Sequence, residues 1–256
     1  MIVCKSPAEL ERMRAANTLV ADVLAVLEGM VAPGVTTADL DAVAEKLVRA
    51  GGAEPAFKGY RGYPSTLCAS VNEQVVHGIP SPATKLVEGD IISLDMGVKL
   101  DGFYGDSAVT VAVGRVSDDA AALLRVTRES LEKAIEQVKI GGRVSDIGHA
   151  VQQHVEAAGF SVVREFVGHG IGSALHEDPQ IANYGEPGRG PRLAEGMTLA
   201  IEPMVNMGRP AVKVLADGWT AVTKDGSLSA HFEHTVAVTK NGPLVLTRRS
   251  VPAVRS

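Results

Sequence analysis

The chain has 256 residues, 45% of them hydrophobic and 21% charged, with a formal net charge of −5 at pH 7. Such a length supports a well-buried core, and the composition is that of an ordinary globular protein rather than a disordered or fibrous one. The negative balance and the lack of any Lys/Arg cluster argue against a nucleic-acid surface.

Pro7 to about Glu28 carries Leu10, Met13, Ala16, Val20, Val23, Leu24 and Leu27 at helical spacing. The longest apolar stretch, Thr18 to Val35, falls within and just beyond it; Asp22 and Glu28 interrupt the stretch, so no membrane span is expected. Thr36 or Thr37 caps a second predicted helix that stops at Gly51-Gly52. Apolar runs at Asp90–Leu94 and Ala108–Val113 read as strands. A second helix pair follows, Asp118 to Val138, then a helix with Ser145 as N-cap ending at Gly159. Further strands are predicted at Ser161–Val163, Met197–Ile201 and Glu233–Thr239, with a surface loop at Tyr184–Pro191 to which no chemistry is assigned. Helices and strands come in groups, which favours an α+β fold with helices covering an antiparallel sheet. Cys4 and Cys68, far apart in sequence, read as free thiols. No signal peptide is recognised, and the chain is expected in the cytoplasm.

One helix-then-strand unit is used twice. Leu86-Val87-Glu88-Gly89 leads to Asp95, and Leu193-Ala194-Glu195-Gly196 leads to Glu202 with the same internal spacing. The interval from Asp95 to Glu202 is 107 residues, and Asp39-Leu40 and Asp146-Ile147 keep it too. We therefore expect one domain, residues 1–256, of two related halves, about 1–115 and 116–256. Each copy ends an apolar strand in a carboxylate, which packing alone would not select. Two such strands meeting across a pseudo-two-fold place acid against acid, and a proton or a cation relieves that arrangement.

Asp101-Gly102 is a two-residue hairpin signal. With such a turn Asp95 opposes position 108 and Asp106 opposes position 97, which makes the two acids diagonal neighbours on one face, about 7–8 Å apart at Cα. A bulge would separate them. Exposure on a polar strand face is the alternative for a lone Asp, but Leu94, Met96, Val98 and the run at Val109 mark both strands as covered. Lys99 is the one nearby cation in sequence. In the second half the candidates are His169 within Val167–Gly172, Glu202 before Pro203, and Glu233 on a Phe- and Val-flanked strand. The glycines beside His169 leave room for backbone and substrate, although taken alone a satisfied structural histidine is the commoner use. Together Asp95, Asp106, His169, Glu202 and Glu233 form a mixed oxygen and nitrogen set suited to two divalent ions such as Mn, Fe, Co or Zn. Two ions about 3.5–4 Å apart carry out hydrolysis.

Five motifs in order now stand out: Asn72-Glu73 with His77-Gly78-Ile79-Pro80; Leu94-Asp95 with Gly105-Asp106; Gly168-His169-Gly170-Ile171-Gly172 with His176-Glu177; Ile201-Glu202-Pro203; and Phe232-Glu233-His234-Thr235. Over about residues 5–248 the chain resembles the type I methionine aminopeptidases. That resemblance implies the pita-bread α+β fold of two related halves. It implies that Asp95 chelates one metal, that Asp106 and Glu233 bridge both, and that His169 and Glu202 complete the other shell. Glu202 would also shuttle the proton to the leaving amine, His77 would meet the scissile amide nitrogen, and His176 would stabilise the developing oxyanion.

The methionine pocket implied by the resemblance comprises Phe57, Tyr60, Tyr63, Cys68, Leu175 and Trp219. Leu175 stands where an aromatic residue is familiar, Phe57 where a smaller one is, and His231 where an amide is. The chain resembles the short bacterial form, with no Cys-rich extension before the first helix and no type II insertion between His169 and Glu233. The expected substrate is the N-terminal Met of nascent peptides whose second residue is small. The resemblance further suggests a monomer with ribosome association. The alternatives are a proline-directed exopeptidase of the aminopeptidase P or prolidase kind, and a non-catalytic binding protein of the same fold.

Overall fold

The computed structural model describes residues 1–248; residues 249–256 of the expected domain lie outside the described range. Helix α1 (Pro7–Met30) starts at a capping box, with the Glu9 N–H donating to Ser6 Oγ at 3.3 Å and the Ser6 N–H to the Glu9 carboxylate at 2.7 Å. Helix α2 (Thr37–Ala50) repeats the device with Thr36 and Asp39, and α3 (Asp118–Ile135) opens on Ser117.

Helix α4 (Val144–Ala157) corrects the sequence reading. Its cap is Arg143, whose N–H donates to Asp146 at 2.8 Å, and Ser145 already lies inside the helix. The physical reason is the Gly- and Pro-rich loop before the second repeated strand. Carbonyls of Pro191 and Arg189 accept from the N–H groups of Val144 and Ser145, so the first turn is satisfied from outside and needs no hydroxyl cap. Ser145 Oγ accepts from the Arg189 N–H at 2.7 Å instead. The loop thus has a structural task that its composition did not disclose.

Among the described residues the largest sheet has nine strands, and each of its pairings is antiparallel. Its centre runs Ile91–Leu100, Phe103–Ala112, Glu233–Thr239, Thr198–Ile201, with Gly168–Gly170 beside the last. The hairpin has the expected register, Asp95 opposite Ala108 and Gly97 opposite Asp106. Its turn puts Asp101 (φ 48°) and Gly102 (φ 80°) in the left-handed region, as a type I′ turn requires.

The duplication is visible atom by atom. Helices α2 and α4 each have 14 residues. The Leu86 N–H donates to Val35 O at 2.9 Å, and the Leu193 N–H to Gly142 O at 2.8 Å. The bridge between Thr36 and Lys85 recurs as one between Arg143 and Arg192, at the same interval. Each half also builds its own apolar layer between helices and sheet. Leu24, Leu27 and Leu40 pack with Ile92, Leu94 and Met96, while Leu123, Leu131 and Ile147 pack with Leu199, Ile201 and Val236. Each large side chain so buried contributes about 1.5–3 kcal/mol. Because side chains alternate along a strand, burying Leu94 and Met96 under the helices turns Asp95 and Gly97 to the opposite face. The candidate site lies on that face.

Candidate metal centre

The two central strands place Asp106 and Glu233 side by side and lock them reciprocally. The Ser107 hydroxyl donates to the Glu233 carbonyl at 2.6 Å, and the Thr235 hydroxyl donates to the Asp106 carbonyl at 2.8 Å. Both hydroxyls are buried. These roles were not legible in the sequence, where the only signal was Ser107 next to Asp106 and Thr235 two residues past Glu233.

Donor atoms of Asp106, His169 and Glu233 all lie within 4.8 Å of one another, and all three residues are buried. His169 Nε2 is 3.6 Å from Glu202 Oε1 and 3.9 Å from Asp106 Oδ2. Its Nδ1 is 2.8 Å from the Gly170 carbonyl. That carbonyl accepts a proton held on Nδ1, which leaves the Nε2 lone pair directed at the carboxylates, the tautomer a metal ligand needs. Asp95, opposite Cys68 on one side and Ala108 on the other, lines the same cavity, as does Glu202.

The electrostatics are those of a site awaiting positive charge. Burial raises Asp95 to about 7. Burial first, and then neighbouring acids, raise Asp106, Glu202 and Glu233 well above ordinary carboxylate values. Asp106 Oδ1 and Glu233 Oε1 are buried without a hydrogen-bond partner. Lys99 does not neutralise them, since its ammonium lies over the Tyr104 ring at 5.7 Å. Four carboxylates and one imidazole, with unpaired buried oxygens on Asp106 and Glu233, fit hard-to-borderline divalent cations. Burial holds His169 and His77 neutral, lowering each to about 4.

For the glycines beside His169 the structure bears out the expected approach of backbone and shows no such role toward substrate. A Cβ on Gly168 would overlap the Ala200 carbonyl oxygen, and one on Gly170 the Asp178 carbonyl oxygen. They make room for neighbouring backbone rather than for substrate.

A cavity of about 180 Å³ opens beside these groups. His77, His176 and each of the six expected pocket residues, Phe57, Tyr60, Tyr63, Cys68, Leu175 and Trp219, line it. His176 Nδ1 lies 2.9 Å from the Tyr60 hydroxyl, and its ring centroid lies 4.3 Å from that of His169. His77, at φ 61°, is held edge-on between Phe166 at 5.4 Å and Trp219 at 6.1 Å. Trp219 stands against Tyr63 at 5.1 Å, in a turn whose N–H groups donate to Asp217. The Tyr63 hydroxyl shares its one proton between the carbonyls of Leu67 and Gly78, each at 3.0 Å, which leaves its ring as the surface offered to the cavity. Phe57 fits because position 97 is glycine, where a Cβ would come 2.9 Å from the Phe57 ring. Three residues with no place in the sequence-based set also belong to these surroundings: Arg61 lines the cavity, Phe166 braces His77, and Asn183 donates to the Glu202 carbonyl at 2.9 Å.

Comparison with known proteins agrees with this arrangement. The pattern of metallopeptidase family M24 matches residues 11–240. The chain belongs to this family. A methionine aminopeptidase 1 of Bacillus subtilis is 55% identical over 248 residues, 97% of this chain and 100% of that protein. A crystal structure of methionine aminopeptidase from Thermotoga maritima superposes with a TM-score of 0.96 at 50% identity, covering 97% of this chain and 100% of the other. A prolidase from Pyrococcus horikoshii shares the fold at a TM-score of 0.79 and 22% identity, with this chain covering 65% of its length. The M24 fold is the pita-bread α+β fold, and the metallopeptidase family implies divalent cations at the carboxylate cluster.

Proposed function

We propose that the chain is a dinuclear metallo-aminopeptidase that removes the initiator methionine when the second residue is small. The observation that carries this reading is the cavity itself: one cavity of about 180 Å³ is lined at once by the five ligand-type side chains, by His77 and His176, and by the apolar and aromatic residues Phe57, Tyr60, Tyr63, Leu175 and Trp219. Asp95, Asp106, His169, Glu202 and Glu233 would hold two ions, drawn from Co, Mn, Fe or Zn. Bound there, the ions would supply the positive charge that acidifies water and polarises the scissile carbonyl.

The chain's own residues supply the rest. Burial makes protonation of the Glu202 carboxyl easy, which suits it to take a proton and return it to the leaving amine. With the Tyr60 O–H donating to His176 Nδ1, the remaining imidazole proton sits on Nε2 and can donate to the oxygen that gains charge. His77, neutral and braced by two aromatic rings, faces the amide nitrogen. Phe57, Tyr63, Cys68, Leu175 and Trp219 would enclose the methionine side chain, and a bulky second residue would collide with the rim and misplace the carbonyl.

We read residues 1–256 as one catalytic domain of two halves, acting as a cytoplasmic monomer on nascent peptides near the ribosome, without nucleic-acid binding of its own. Among the described residues no helix is long and apolar enough to cross a membrane. The relatives at 50% identity and above favour methionine removal over a proline-directed peptidase, and retention of all five ligand-type residues speaks against a non-catalytic binding protein. The test is methionine release from Met-Gly-Ala and Met-Leu-Ala peptides, with and without a chelator, by wild type and Asp106→Ala. Chelator-sensitive release from the first peptide, lost in the variant, is expected. Chelator-insensitive release, or release from Met-Leu-Ala as fast as from Met-Gly-Ala, would overturn the reading.

A further inference from the structure

Arg61 stands on the rim of the cavity in a short turn, Tyr60–Gly62, with its backbone in the left-handed region at φ 49° between Gly59 (φ 86°) and Gly62 (φ 90°). A long side chain seldom adopts that backbone. The guanidinium lies 5.4 Å from the Tyr60 ring centroid, stacked on the residue that hydrogen-bonds His176. Among the described residues no carboxylate pairs with it, whereas Arg49, Arg125 and Arg248 each pair with a glutamate. Stacking occupies the face of the guanidinium and leaves its N–H edge free, the edge that binds carboxylates in a planar fork.

The charge balance of the cavity gives this cation weight. Its four carboxylates would be offset by the bound cations, so Arg61 would leave the mouth positive. An aminopeptidase takes its substrate amino end first, and every later residue passes out through the mouth. From the metal-facing His169 the way out runs by His176 at 4.3 Å, then Tyr60 at 5.2 Å, then Arg61 at 5.4 Å, between ring or guanidinium centres. An extended peptide advances about 3.3 Å per residue. The guanidinium therefore comes level with the third to fifth residues of the substrate.

We propose that Arg61 is a specificity-determining residue that favours substrates with Asp or Glu at the third, fourth or fifth position. This deepens the aminopeptidase reading and rests on it. The test is kcat/KM for Met-Gly-Ala-Ala-Ala peptides with Asp or Lys placed in turn at positions three, four and five, using wild type, Arg61→Gln and Arg61→Glu. The quantity read is the Asp-to-Lys ratio within each protein. Wild type is expected to prefer Asp about three- to ten-fold at one position, less so as salt is raised. The ratio should fall to about one in Arg61→Gln and invert in Arg61→Glu. Equal rates for Asp and Lys at all three positions in wild type, or a preference that survives in Arg61→Gln, would overturn the proposal alone. Failure to cleave any Met-Gly peptide would overturn the aminopeptidase reading together with it.

Discussion

His231 Nε2 lies 3.8 Å from Glu202 Oε2, on the side of that carboxylate away from His169, whose Nε2 lies 3.6 Å from Oε1. His231 is 1% exposed, neither of its ring nitrogens has a hydrogen-bond partner, and burial lowers it to about 3, so the ring is neutral. Its backbone is fixed, since the N–H donates to Thr110 Oγ1 at 2.8 Å and the carbonyl accepts from the same hydroxyl at 2.7 Å. A ring so anchored behind Glu202 limits how that carboxylate turns toward a cation. Replacing it by His231→Leu should weaken binding of Mn(II) by about 10–100-fold, measured by calorimetric titration of the metal-free protein without substrate. His231→Gln, which keeps polar side-chain bulk behind Glu202, should recover most of the loss. An unchanged affinity in the leucine variant would show that Glu202 is oriented by the sheet alone.

The raised carboxylates make the stability of the metal-free protein depend on pH. Asp95, near 3.9 when unfolded, titrates at about 7 when folded, so between those values the native state holds a proton that the unfolded chain has lost. Its contribution is present below about 4 and is lost as pH rises through about 7, and Asp106, Glu202 and Glu233 extend that loss upward. His77 and His169, lowered to about 4, act oppositely, but their contribution is complete above about 6.5. Above that pH the carboxylates of this site still titrate, and the Cys68 thiol, raised well above its ordinary value by burial, acts in the same direction as the unfolded thiol begins to ionise. The Tm of the metal-free protein should therefore fall from about pH 6.5 to about pH 8.5. Saturating Mn(II), which favours the ionised forms, should raise it more at the higher pH. A metal-free Tm that climbs over this range, read by scanning calorimetry, would contradict the assignment.

The parts of this architecture that were legible in the sequence are those governed by local rules. The register that brings Asp95 and Asp106 together followed from one turn signal and the period-two alternation of the strands. The duplication was legible because the same short string precedes both Asp95 and Glu202. What escaped was set by contacts between distant segments. Arg143 caps α4 because a loop more than forty residues on presents its carbonyls there, as in the 2.8 Å bond from the Arg143 guanidinium to Gly190 O. Phe57 is accommodated by the glycine at position 97, and Arg61 owes its place on the rim to its own left-handed backbone, which an arginine between two glycines does not announce.

The close approach of strands around His169 leads to another expectation. Gly170→Ala would force its methyl group into the Asp178 carbonyl, and the nearest atoms are all backbone of Glu177 and Asp178, with no flexible side chain to give way. Overpacking of this kind costs about 1–3 kcal/mol. It would also displace the Gly170 carbonyl that orients the His169 ring. The variant should show a lowered Tm together with weaker metal binding, beyond what the stability loss explains. A Tm within error of wild type would mean that the strand shifts without strain.

Next to His176, the Lys5 ammonium forms an ion pair with Glu177, with side-chain exposures of 3% and 11%. Lys5 also donates to the Val3 carbonyl at 3.1 Å, and the Ala174 N–H donates to Glu177 at 3.2 Å, so the pair ties the first residues of the chain to the segment that carries His176. Breaking such a pair from one side strands a buried charge. Lys5→Met should thus cost about 3–5 kcal/mol in denaturant unfolding, far more than an exposed pair such as Arg125 with Glu129. Adding Glu177→Gln removes the stranded charge while keeping an acceptor for Ala174, and the double variant should recover most of the stability. If the single variant loses less than about 1 kcal/mol, the range of an exposed pair, water reaches this pair and it does not hold the His176 segment in place.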